Sequence, residues 1–94
     1  MSVKPFNWSA EKNKELIENR EISFESILFS VQNGKLLDDL KHPNEEKYPR
    51  QRVLVVDVDG YAYLVPYVET DEEIFLKTVI PSRKATKQYL GDGS

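Results

Sequence analysis

Apolar residues in this chain recur first at a helical spacing and then at a spacing of two. Ser9 reads as an N-cap, its hydroxyl placed to accept an early helical N–H, and a helix is predicted over 10–20. Only Trp8, Ala10, Leu16 and Ile17 are apolar there, so this helix docks by a narrow stripe. Ser23 caps a second helix, in which Phe24, Ile27, Leu28 and Val31 fall at i, i+3, i+4 and i+7, one face of a 3.6-residue period. Asn33-Gly34 ends it, because glycine takes the left-handed conformation freely. After a short apolar-acidic patch, LLDDL, comes KHPNEEKYPRQ, a polar loop that is long for a small domain; such loops tend to be functional. The pattern then turns to β. RVLVVDV and YAYLVPYV flank Asp59-Gly60, which suits a two-residue hairpin turn with positive φ at both positions, and IFLKTVI follows the acidic ETDEE. These segments predict an α+β fold, with two N-terminal helices packed on an antiparallel sheet. The sheet has three strands, or four if 36–40 joins it, and a last helical turn or two covers 84–90. Residues 1–94 are expected to form one domain.

Alternation assigns the sheet faces. With Val58 opposite Tyr61 across the Asp-Gly turn, Val56 faces Tyr63, Leu54 faces Val65 and Arg52 faces Tyr67. With Val68 opposite Ile74, Tyr67 faces Phe75 and Val65 faces Lys77. One face then holds Val53, Val55, Ala62, Leu64, Pro66, Ile74, Leu76 and Ile80, and is expected under the helices. The other holds Arg52, Tyr61, Tyr63, Tyr67, Phe75 and Lys77. Rings interleaved with cations suit an exposed surface that stacks unpaired bases and neutralises phosphates, and equally suit a protein interface.

Composition narrows the chemistry. Cysteine is absent, which removes disulfides, zinc–thiolate sites and thiol nucleophiles. The first residues lack a signal-peptide pattern and no stretch approaches a membrane span, so a cytoplasmic protein without membrane contact is the expectation. The formal charge of −3 argues against a generic nucleic-acid binder, but the charge is segregated. Residues 69–73 hold four acids and no base, 41–52 hold two more bases than acids, and 81–90 hold Arg83, Lys84 and Lys87 with no acid. Signatures of nucleotide hydrolysis, dehydrogenation, zinc proteolysis and serine hydrolysis are missing, and no cofactor or metal is implied.

Three blocks carry a resemblance. Phe6, Trp8 and Lys12, then Ile22-Ser23-Phe24-Glu25, then Arg83-Lys84-Ala85-Thr86 resemble the BrnT family of bacterial type II toxins, whose pattern runs roughly F-x-W-D-x-x-K, K-H-G-I-S-F-E-E and I-S-A-R-K-A-T. The order of all three blocks and the spacing of the first two agree. The resemblance implies a RelE-like fold, metal-free RNA cleavage, and a cognate antitoxin as partner beside the RNA substrate. Carried over by position, Lys12, Arg83 and Lys84 match cationic places in the motif. The chain departs from it at Asn19-Arg20-Glu21, where the family has K-H-G, and at Ser9, Thr78 and Pro81.

Cleavage of RNA without metal needs a base for the 2′-hydroxyl, an acid for the leaving 5′-oxygen and a cation for charge growing on the phosphate. Arg83 is the candidate cation, since a guanidinium binds phosphate bidentately and stays charged. His42, the sole histidine, is the candidate for proton transfer, and Lys77 can steady phosphate from the sheet. Lys12, Arg20, Arg52, Tyr63, Tyr67, Lys84 and Lys87 complete the expected RNA-binding set. The competing expectation is a non-catalytic domain of the same fold that binds a partner protein through the aromatic sheet face.

Overall fold

The computed structural model describes residues 4–91. A short strand β1 (Phe6–Trp8) leads into α1 (Ala10–Arg20) and α2 (Phe24–Gln32). Strands β2 (Leu36–Lys41), β3 (Gln51–Val58), β4 (Tyr61–Glu69), β5 (Ile74–Leu76) and β6 (Ile80–Pro81) follow, and α3 (Arg83–Leu90) closes the order. The architecture is α+β, with three helices and a mixed six-stranded sheet of order β1-β5-β4-β3-β2, β6 pairing with β4 beyond β5. β1 runs parallel to β5 and every other pairing is antiparallel.

Local chemistry sets the helix ends. Ser9 accepts from the Lys12 amide at 3.2 Å and Ser23 from the Ser26 amide at 3.1 Å, each satisfying one free N–H of a first turn. α1 ends at Glu21, which adopts a left-handed φ of 54° and returns its N–H to Leu16 and Ile17. Between the two helices lies Asn13, only 8% exposed. Its Oδ1 accepts the Phe24 amide at 2.8 Å and its Nδ2 donates to Glu25 at 2.7 Å, so the first half of α1 is stitched to the start of α2.

The hairpin register is the expected one, Val58 opposite Tyr61 and Arg52 opposite Tyr67. Beyond it the sheet departs from expectation in three ways. First, Thr70 closes the acidic turn, its amide donating to the Glu73 carbonyl at 2.9 Å. Glu69, not Val68, therefore pairs with Ile74, and that one-residue slip moves every β5 side chain to the other face. Second, the run expected as one strand breaks at Lys77–Val79, where Val79 turns fully inward. Third, the faces are exchanged. Leu54, Val56, Val65, Tyr67 and Leu76 pack with Leu16, Ile22, Phe24 and Ile27 as the main core, whereas Val55 and Ala62 lie against Ala85 of α3. Helices cover both faces, so both are apolar and alternation alone does not tell them apart. β1 was not expected; it inserts Phe6 and Trp8 beside the main core, with the Trp8 ring stacked on Phe24 at 5.5 Å.

Candidate functional site

α3 is built to be held. Ser82 caps it, accepting from the Ala85 amide at 3.1 Å, while its own N–H donates to the Ala62 carbonyl at 3.0 Å. Thr86 Oγ1 accepts the Ala62 amide at 2.9 Å and donates to the Ser82 carbonyl at 2.8 Å. At the far end the Tyr89 hydroxyl donates to Asp38 at 2.7 Å, which lowers the Asp38 carboxyl and raises the Tyr89 phenol relative to their ordinary values. A register shift between Leu36 and Asp38 accompanies this contact on β2.

The outer side of α3 carries Arg83, Lys84 and Lys87, all exposed, and none of them forms a salt bridge among the described residues. Arg83 and Lys84 occupy the first two helical positions, at the positive end of the helix dipole, where cations repel it and an anion is favoured. Lys77 belongs to the same sheet face. It is exposed, its amide donates to Pro66 at 2.8 Å, and its ammonium lies 5.9 Å from the centre of the Phe75 ring.

His42 stands elsewhere. Its amide donates to Gln51 at 3.2 Å, and its Nδ1 accepts the Asn44 amide at 3.0 Å, which leaves the proton of the neutral ring on Nε2. Tyr48 holds the ring from one side, centroids 4.6 Å apart. Gln51 pairs with Val68, while Ser82 is bonded to Ala62, six residues along β4. At about 3.3 Å per residue, roughly 20 Å separates the His42 end from the start of α3. Arg83 and His42 therefore do not share a phosphate, and the expected trio of Arg83, His42 and Lys77 is not one cluster.

The remaining expected contacts sort by burial. Tyr67 is 3% exposed, so its ring is closed to a base; its hydroxyl donates to Asp39 at 2.8 Å, and Arg52 Nε donates to the same carboxylate at 3.0 Å. Burial, then the bond to Asp39, pushes the Tyr67 phenol up to about 12. Tyr63 is half-buried against the main core. The exposed aromatic platform expected of Arg52, Tyr63 and Tyr67 is therefore corrected: that face lies under α1 and α2. Arg20 donates to the Val79 carbonyl and secures the break in the last strand. Lys12 lies half-buried in the first turn of α1, away from α3.

Sequence reasoning missed Asp39, Asp38 and Tyr89, whose partners are distant along the chain; Ala85 and Tyr89, four places apart in a basic tail, are the signal that α3 docks by one side. Among the described residues no group of three or more His, Cys, Asp or Glu is arranged to hold a metal, and no helix is long and apolar enough to cross a membrane. Comparison with protein-family models, with curated proteins and with solved structures finds no match to this chain.

Proposed function

We propose that this chain is the toxin of a bacterial type II toxin–antitoxin pair, a metal-independent endoribonuclease of RelE-like fold that a cognate antitoxin holds inactive. The observation that carries the reading is the first turn of α3. Two cations, Arg83 and Lys84, stand there without carboxylate partners among the described residues, at the positive end of a helix, in a chain of net charge −3. Such an arrangement raises the energy of the empty protein slightly and is relieved by a phosphate. Lys77 and the Phe75 ring on the same sheet face supply a third cation and a stacking surface.

The motif blocks support the reading in a different way, through what each residue does in the fold. Phe6, Trp8, Ile22 and Phe24 pack the main core, Ser23 caps α2, and Ala85 and Thr86 dock α3. The glycine of the family pattern aligns with Glu21, whose backbone is left-handed, the conformation that glycine adopts without strain. With no histidine at α3, Arg83 stabilises the growing charge, and water takes the 2′-hydroxyl proton and returns one to the leaving 5′-oxygen.

Induction of the wild type and of Arg83→Ala in a bacterial host lacking the partner tests this. Growth arrest with fragmented RNA is expected from the wild type, and the variant should cleave about 10²–10³-fold more slowly, as expected when one charge-stabilising donor is removed. Normal growth with intact RNA in both would sink the ribonuclease reading.

A further inference from the structure

A further concavity lies on the α2 side of the sheet, at the same end of β4 as the start of α3. A groove of about 810 Å³ runs between the outer stripe of α2 and the β3–β4 turn. Phe29 lines it and is 67% exposed, the most exposed of the large apolar side chains among the described residues. Its helical neighbours on that stripe, Ser26, Ser30 and Asn33, are too short to shield the ring. Around Phe29 stand Glu25, Asp57 and Asp59 against a single cation, Lys35. None of the three acids forms a salt bridge among the described residues. Glu25 instead takes a neutral hydrogen bond from Asn13, which holds its carboxyl below the usual range and keeps it charged, and Asp57 accepts the Gly60 amide at 2.8 Å.

An exposed ring rimmed mainly by acids without ion-pair partners marks an interaction surface. We propose that this groove docks a basic, amphipathic segment of a partner protein, an apolar side chain resting on Phe29 and its lysines or arginines answering Glu25, Asp57 and Asp59. Charge complementarity selects the occupant: the acids repel RNA and favour a basic peptide. The inference does not depend on the ribonuclease reading.

The test uses the full chain and a fluorescently labelled amphipathic peptide of leucine and lysine, followed by anisotropy. Binding is expected for the wild type. Phe29→Ala should weaken it about tenfold or more, as loss of a central aromatic anchor does. The double variant Glu25→Gln with Asp59→Asn should weaken binding and flatten its dependence on salt, and the same peptide with glutamate for lysine should not bind. Because Phe29 is exposed, its variant should melt with the wild type, which separates lost docking from lost folding. The proposal is overturned if the wild type does not bind the lysine peptide, if Phe29→Ala binds it equally, or if the glutamate peptide binds as well. Sedimentation showing a dimer that Phe29→Ala dissociates would overturn it too, by giving the groove to a second copy.

Discussion

Tyr67 shows how one position changes meaning between sequence and fold. Alternation places it beside Arg52 and Tyr63, and that much holds. Neither face is left open at that point, because α1 and α2 cover Tyr67 while α3 covers Val55 and Ala62 on the opposite face. The ring is therefore buried, and its hydroxyl serves Asp39 on the edge strand. Because the folded phenol titrates near 12 instead of 10.0, the fold favours the neutral form. That contribution is complete below pH 10 and is lost as pH rises toward 12. At about 1.4 kcal/mol per pH unit over two units it is on the order of 3 kcal/mol. Urea unfolding on either side of pH 10 should show the wild type losing stability more steeply than Tyr67→Phe. At neutral pH the same variant should cost about 1–3 kcal/mol, because Asp39 loses a donor.

Among elements, those defined by local chemistry were legible. Ser9 and Ser23 cap where a hydroxyl before a helical pattern says they should, and Asp59-Gly60 sets the hairpin register by its turn geometry. What depended on distant partners was not. Three residues have no readable period, so β1 is visible only once β5 lies beside it. The β5 register was set by Thr70 and Glu73 inside the acidic turn, where charge masked a hydrogen-bonded closure. The end of α1 offers a test at this scale. Glu21 holds φ at 54°, a conformation that strains any residue with a Cβ. Glu21→Gly should raise the unfolding free energy by roughly 0.5–1 kcal/mol, the relieved strain exceeding glycine's entropic cost. Thermal melts of the pair would check it, and a destabilised variant would mean that the Glu21 side chain makes a stabilising contact of its own.

For the whole molecule the decisive property is where charge is left unanswered. The basic stretch at 81–90 was plain in the sequence, and its cations form no salt bridge among the described residues. That His42 stands roughly 20 Å off was not, because nothing local reveals which end of a sheet a loop will occupy. If α3 holds RNA, affinity for a single-stranded oligonucleotide should fall with added salt, with a logarithmic slope of roughly 0.7 per phosphate contacted. Replacing Arg83 and Lys84 together by alanine should reduce that slope by about two contacts, whereas replacing Lys12 should leave it unchanged. An unaltered slope in the double variant would move RNA away from α3.

The parallel pairing of Phe6 with Ile74 sets an order of events during synthesis. Nearly seventy residues must be made between these partners. At about 5–20 residues per second, β1 waits several seconds to more than ten for its neighbour. During that interval Phe6 and Trp8 can reach α1 and α2 but have no strand beside them. The half-made chain thus carries a sticky edge at β1 that its own later segment silences, and a newborn copy cannot present a finished sheet until β5 and then β6 have left the ribosome.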